Sequence, residues 1–269
     1  GTVTAKILFP NDLYIQIASK PDFTVSNAAM HGPISADAWD GDDTAFNPFA
    51  VKPALTSSGG FTFGMDGDFS FALMVGSTNT HTAATGEDDY MVGGSFSYAI
   101  EELADFGVNF IFGAFQNDNP TTGVGVYANA TPVEGLSLYL GADFNIGYYI
   151  AAPVDDTFNG MDLQFDVNYE MADMFSVGAG VYVGIPNLES EVGAPLMSTV
   201  LSADLLAVEN LTFGVSFNMY DILDAMEAEE DIIMAFAMNA NYKMMLDDVN
   251  YVKPYASFTM IPEAVTGVW

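Results

Sequence analysis

The sequence predicts an all-β fold: a transmembrane antiparallel β-barrel of about 14 strands, within a range of roughly 12 to 16, with short turns at one end and long loops at the other. Three observations predict it. The first is a two-residue rhythm. In Leu136–Tyr149, Leu136, Leu138, Leu140, Ala142, Phe144, Ile146 and Tyr148 alternate with Ser137, Tyr139, Gly141, Asp143, Asn145, Gly147 and Tyr149. A strand turns successive side chains to opposite faces, so this segment has one apolar and one wet face. The second is a conflict in composition. Half of the residues are hydrophobic and mean hydropathy is +0.24, yet 36 acidic residues face 5 lysines, for a formal net charge of -31. The third is that long and short links between the alternating segments take turns along the chain.

Composition narrows the class. The rhythm does not break in the middle of the 269 residues, which favours one domain, residues 1–269. Repulsion at this charge opposes compaction in a soluble domain. A barrel that turns apolar faces to lipid and places acids in its loops and lumen removes the conflict. A soluble acidic β-sandwich is the competing architecture. The chain has no arginine, so nucleic acid is excluded as a partner, because phosphate binding needs Lys and Arg. Without cysteine, disulfides and thiolate metal sites are excluded too. No run approaches the ~18 apolar residues of a spanning helix. Gly1–Ala5 already reads as strand, the expectation for a mature, processed chain.

The elements follow in order. Val3, Ala5, Ile7, Phe9, Leu13, Ile15 and Ile17 share one parity, so residues 2–18 read as one long strand or, if Pro10-Asn11-Asp12 is a turn, as a hairpin. Residues 19–57 lose the alternation and hold Pro21, Pro33, Pro48 and Pro53, so they read as one long loop. Phe61 and Phe63 lead through the turn signal Asp66-Gly67 to Phe69, Phe71, Leu73 and Val75. After a polar loop at 76–89 come Val92, Phe96 and Tyr98. The short link 101–104 leads to Phe106, Val108, Phe110 and Phe112, and a loop is expected over 116–122. Val124, Val126 and Ala128 precede the turn 131–135 and the strand described first. Beyond the loop 151–159, Leu163, Phe165, Val167 and Tyr169 alternate with Asp162, Gln164, Asp166, Asn168 and Glu170. Further strands run from Phe175 to Val183, near 197–207, near 210–219 and from Ile232 to Met238, with acidic loops between. Leu246-Asp247-Asp248 then turns into Val252, Ala256 and Phe258. With a single first strand the total is about thirteen; barrels prefer even numbers, so residues 261–269 would supply a short last strand ending in Trp269.

Strands of this length, short links such as Thr131–Gly135 and the sorting of link lengths resemble the outer-membrane porin-like β-barrel proteins of diderm bacteria. The resemblance is one of pattern and covers most of residues 58–260. It implies a location in the bacterial outer membrane with exposure at the cell surface, short turns on the periplasmic side, outer-membrane lipid as surroundings, and passive diffusion of small hydrophilic solutes and cations. It also implies a homotrimer, the common assembly of such proteins. An abundant structural surface-layer protein or adhesin anchored by a barrel, or a strand-stacked extracellular assembly, is the alternative.

No catalytic constellation is present, and an enzyme is not expected. His31 and His81 fall in expected loops, and there is no G-x-S-x-G elbow and no phosphate loop. No cofactor is expected. The acidic groups Asp37, Asp40, Asp42 and Asp43, and Glu227, Glu229, Glu230 and Asp231, offer oxygen ligands for weak Ca2+ binding without matching an EF-hand. If the apolar parity faces lipid, then Asp143, Asp162, Gln164, Asp166, Asn168, Glu170 and Asp204 line a pore. Lys6, Lys243 and Lys253 share the inward parity on the first and last strands, where they would face an acidic wall or merely neutralise nearby acids. A polar, acid-rich lumen favours cations. The long loop is expected to fold over or into the mouth, packing through Trp39, Phe46 and Phe49 and presenting Asp37, Asp40, Asp42 and Asp43 as a constriction.

Overall fold

Fourteen strands run antiparallel, each hydrogen-bonded to its neighbour, in one large sheet. They belong to a computed structural model that describes residues 4–18, 22–25, 27–28, 54–56, 59–78, 89–115, 119–150, 156–172, 174–185, 188, 196–208, 210–220, 222, 233–245 and 251–260. The strands are β1 (Thr4–Leu8), β2 (Leu13–Ala18), β3 (Asp22–Thr24), β4 (Ala54–Thr56), β5 (Gly59–Met65), β6 (Phe69–Thr78), β7 (Asp89–Ile100), β8 (Ala104–Phe115) and β9 (Asn119–Val133). They continue as β10 (Leu136–Ile150), β11 (Asp156–Met171), β12 (Phe175–Ile185), β13 (Leu196–Leu205), β14 (Leu211–Tyr220), β15 (Ile233–Tyr242), β16 (Met244–Met245), β17 (Tyr251–Val252) and β18 (Tyr255–Met260). The order is β1-β2-β5 through β15 and then β18, an up-and-down meander; β3–β4 and β16–β17 are small ladders within two of the links.

The first strand is a hairpin. Asn11 and Asp12 both take left-handed backbone angles, φ 65° and 60°, the short-side-chain solution to a tight reversal. Phe9 N–H donates to Leu13 O at 2.8 Å and closes it. This hairpin brings the sheet to an even number of strands without residues 261–269, which lie outside the described residues. Two other expectations are corrected. The link expected over 116–122 shrinks to 116–118, because β8 and β9 stay paired out to Phe115↔Asn119. The long loop is not structureless throughout, since β3 pairs with β4 at Asp22↔Thr56, Phe23↔Leu55 and Thr24↔Ala54.

Links sort by end. The links at 9–12, 66–68, 101–103, 134–135, 172–174 and 206–210 run between strand ends at one rim, and so does the longer link 243–254 between β15 and β18. The connections from β2 to β5, β6 to β7, β10 to β11, β12 to β13 and β14 to β15 join strand ends at the other rim, as does the short β8-to-β9 connection.

The two faces of the sheet are inverted relative to a soluble protein. On β10, Leu140 and Ile146 are 51% and 52% exposed, while Asp143 and Asn145 on the opposite parity are 0% and 7% exposed. Outward with Leu140 go Phe61, Phe63, Leu73, Phe96, Val108, Phe112, Phe165, Val177, Leu201 and Phe213, all exposed. Aromatic side chains knit this face across strands: Phe63–Phe71 and Tyr98–Phe106 lie 5.6 Å apart, and Phe71–Phe96 stack at 6.4 Å. Phe110 reaches sideways over Gly94, where a Cβ would stand 2.5 Å from its ring. A contiguous apolar face of this extent is far larger than monomeric soluble proteins leave in water.

Among the described residues no ladder joins β1 to β18. Both strands are exposed on both faces along their whole length.

Candidate functional site

The polar face has a built centre on β8–β12. Register sets Gly125, Asp143 and Asp162 in one row across β9, β10 and β11, and Tyr127, Gly141, Gln164 and Tyr182 in the next across β9–β12. The row beyond holds Asn129, Tyr139, Asp166 and Gly180. Alternation alone places these side chains together, because every second residue of each strand shares the face. Hydrogen bonds then orient them. Tyr182 O–H donates to Asp162 Oδ1 at 2.9 Å, Gln164 Nε2 to Asp166 Oδ2 at 2.5 Å, and Asn129 Nδ2 to Asp105 Oδ2 at 3.0 Å. Farther along, Ser176 Oγ donates to Asp204 Oδ2 at 3.3 Å.

Onto this centre dock Val25, Asn27 and Ala28, from the link between β2 and β5. The Asp143 carboxylate accepts three hydrogen bonds from it: Asn27 N at 2.6 Å, Ala28 N at 2.8 Å and Asn27 Nδ2 at 2.7 Å. Asn27 Nδ2 also donates to Asn109 Oδ1 at 2.8 Å, and the Tyr139 hydroxyl donates to the Asn27 carbonyl. A carboxylate taking two successive main-chain N–H groups satisfies donors that burial would otherwise strand. Val25, fully buried, fills an apolar spot with Met74, Met91 and Ile111 on the same face of β6, β7 and β8.

Two glycines make the docking sterically feasible. A Cβ on Gly141 would lie 2.0 Å from the Asn27 carbonyl oxygen, and one on Gly125 would lie 2.0 Å from Asn27 Nδ2 and 2.5 Å from Asp143 Oδ1. Both positions therefore exclude any side chain while Asn27 is in place.

Of the residues expected to line a pore, Asp143, Asp162 and Gln164 are buried on the polar face, and Asp166, Asn168 and Asp204 are half-buried on it. Ser198, Asn218, Tyr182 and Tyr220 are also fully buried. The lysines stand apart from this centre. Lys6 is exposed, pairs with Asp66 at 3.0 Å and lies over the Tyr14 ring at 3.8 Å. Lys243 is exposed over the Tyr251 ring at 4.8 Å, and Lys253 is exposed near it in sequence. All three belong to the short-turn rim on β1 and the β15–β18 link. The expected constriction residues Asp37, Asp40, Asp42 and Asp43 lie outside the described residues, as do Trp39, Phe46, Phe49 and Glu227–Asp231. Among the described residues no group of three or more His, Cys, Asp or Glu is arranged to hold a metal ion.

Sequence reasoning missed the docked residues Val25, Asn27 and Ala28 and their receivers Asn109, Tyr139, Gly125 and Gly141. One signal was available: Gly125 and Gly141 sit on the polar parity beside Asp143, where larger polar residues are the norm.

No family model matches the chain, and neither does any curated protein. Among solved structures, OccK8 (OprE) of Pseudomonas aeruginosa is similar at a TM-score of 0.50 and 11% identity, over 96% of this chain and 79% of that one. A loop-deletion mutant of OmpT, an outer membrane protein of Vibrio cholerae, is similar at a TM-score of 0.45 and 12% identity, over 97% of this chain and 91% of that one. At such identity the likeness to OccK8 is one of fold.

Proposed function

We propose that the chain is an outer-membrane β-barrel forming a passive, cation-leaning diffusion channel for small hydrophilic solutes. One observation carries the reading: the sheet exposes its apolar face and buries its carboxylates. Leu140, Phe144 and Ile146 point outward on the same strand whose Asp143 and Asn145 are shielded. That arrangement is unfavourable in water and favourable in lipid. Closure follows from the same physics. A bilayer tolerates no unpaired sheet edge, and an even strand number leaves β1 and β18 antiparallel, so they close the barrel. Six short turns at one rim and five longer links at the other, with 243–254 and 116–118 as the exceptions, support the outer-membrane reading, with the short-turn rim periplasmic.

Within the barrel the acidic rows at Asp143, Asp162 and Asp166 set the sign of the potential, and Asn27 and Ala28 narrow the passage beside them. Passive transport needs orientation and charge but no catalytic group.

A second reading, a barrel that only anchors a surface structure, is favoured by a different observation. Tyr182, Ser198, Asn218 and Tyr220 are shielded completely on the polar face, the mark of a packed interior at that level. Planar-bilayer conductance separates the two. Discrete single-channel steps with cation preference support the channel. An inserted, folded protein with no conductance rejects it in favour of the anchor.

A further inference from the structure

Register runs Asn109, Gly125, Asp143 and Asp162 across β8, β9, β10 and β11, so all four share one row of the polar face. Asn27 Nδ2 stands over the glycine of that row. It donates to Asp143 Oδ1 at 2.7 Å on one side and to Asn109 Oδ1 at 2.8 Å on the other. A Cβ on Gly125 would lie 2.0 Å from that nitrogen, 2.4 Å from Asn109 Oδ1 and 2.5 Å from Asp143 Oδ1. A nitrogen donor and two oxygen acceptors thus converge on a spot that only a glycine leaves open.

Asn27 N and Ala28 N reach the other carboxylate oxygen, Asp143 Oδ2, at 2.6 and 2.8 Å. Four N–H bonds therefore enter three oxygens: both of Asp143 and the amide oxygen of Asn109. The Tyr139 hydroxyl, which donates to the Asn27 carbonyl, is an acceptor as well and adds a fourth oxygen within reach. Gly141 clears the space beside them, where a Cβ would lie 2.0 Å from the Asn27 carbonyl oxygen. Asp143 is fully buried in this arrangement. A second molecule reaches its carboxylate only by displacing Asn27 and Ala28.

The donor pattern defines the group that would take their place. A guanidinium carries five N–H donors in one plane, forked to meet both oxygens of a carboxylate at once, with others left for a neighbouring acceptor. An ammonium carries three that diverge from a point, and it matches a fork less well. Charge acts in the same direction. Asp162 lies directly across from Asp143 on the same face, so a cation is attracted by both carboxylates, whereas the amides of Asn27 and Ala28 are neutral. Apart from these polar bonds, the bound stretch is held by Val25 among Met74, Met91 and Ile111, away from the acceptors.

We propose that Asp143 and Asn109, over the glycine floor at 125 and 141, form a recognition site for the guanidinium group of a small solute, and that Asn27 and Ala28 occupy it as a built-in competitor. The substrate class rests on the channel reading above. Solute and competitor exclude one another, so anything that loosens Val25 raises the apparent affinity for the solute without touching an acceptor.

The test titrates the full chain, folded in detergent, with methylguanidinium and, at matched ionic strength, with methylammonium. Amide exchange at Asn27 and Ala28 reads displacement, and calorimetry reads binding. Methylguanidinium speeds exchange at both amides along a saturable curve, while β10 and β11 stay protected. Methylammonium needs at least about a tenfold higher concentration. Val25→Ser lowers the methylguanidinium midpoint roughly tenfold, the worth of one small buried side chain. Asp143→Asn, shown to be folded by heat-modified gel mobility, gives no saturable heat. Equal midpoints for the two cations, or saturable heat that survives Asp143→Asn, overturn the site. Faster exchange that spreads to β10 and β11 is unfolding by the probe and overturns it too. An unchanged midpoint in Val25→Ser overturns the competition. A tetrapeptide with one arginine has the weaker midpoint if the site serves a small solute; a tighter one overturns that assignment in favour of a peptide. Planar-bilayer conductance separates the two readings. A conducting protein without saturable binding keeps the channel and loses the site, and a binding protein without conductance keeps the site and loses the channel.

Discussion

Replacing Asp143 with Ala removes the acceptor for three hydrogen bonds from residues 27 and 28 while leaving β10 paired on both sides. Hydrogen bonds to an ionised group are worth about 1.5–3 kcal/mol each, so losing the two main-chain bonds alone costs the docked state about 3 kcal/mol at the lower end. That is a shift of roughly a hundredfold toward an undocked segment. The third bond, from Asn27 Nδ2, is lost too, while the other Nδ2 hydrogen keeps its bond to Asn109 Oδ1. Val25 in its Met74–Met91–Ile111 spot holds the segment back only by the burial of one small side chain, about 1.5–3 kcal/mol. Amide hydrogen exchange of the folded protein in detergent reads the outcome. The Asn27 and Ala28 amides exchange about a hundredfold faster in Asp143→Ala, while the amides of β10 and β11 stay protected. Gly141→Ala reaches the same state by another route, since its Cβ would overlap the Asn27 carbonyl. Both changes break one interaction, so the double variant exchanges little faster than the worse single one. Unchanged protection at 27 and 28 in a folded Asp143→Ala would refute the carboxylate as the anchor of the segment.

Phe165→Arg places a charge in the middle of the outward face, opposite Leu140 and Val181. It costs about 2–4 kcal/mol in urea unfolding from vesicles; a change under about 0.5 kcal/mol is the value for a water-facing surface. Gly135→Ala strains the β9–β10 turn, where φ is +79° and a Cβ would lie 2.2 Å from the Glu170 carbonyl oxygen. The loss is about 1–3 kcal/mol in the same unfolding assay. Asp162→Asn combined with Asp166→Asn weakens the acidic rows of the polar face. Each unit charge acts with about 1 kcal/mol on an ion ~4 Å away in water, about fivefold, so with two charges removed the cation-over-anion permeability ratio falls at least fivefold. Reversal potentials in a salt gradient measure it.

Strand positions were legible because the apolar and polar faces of the sheet impose opposite demands on alternate residues. Leu136–Tyr149 needs nothing more than its own parity to be read, and it is β10. The first reversal was ambiguous for a physical reason. Phe9 and Leu13 flank a tight turn and keep the same parity, so the phase of alternation does not register the change of direction. The polar residues from Asn119 to Thr122 read as loop because composition weighs side chains, whereas the ladder is a backbone interaction that continues past the apolar band. The polar-face rows were placed by parity too, but the docking of Asn27 was not legible. Its partner Asp143 lies 116 residues away, and the segment carries no periodic signal. Only the glycines at 125 and 141 mark where another stretch of backbone approaches.

The inversion of the two faces is tested most directly by spin labels along β11. The chain has no cysteine, so single cysteines at 163, 164, 165, 166, 167 and 168 can be labelled one at a time in the vesicle-inserted protein. Collisions with oxygen, which partitions into lipid, and with a water-soluble nickel chelate are then measured. A lipid-facing barrel gives a two-residue alternation, with oxygen collisions high at Leu163, Phe165 and Val167 and low at Gln164, Asp166 and Asn168. Uniform collision with the nickel chelate along the strand, or the alternation in the opposite phase, would contradict it.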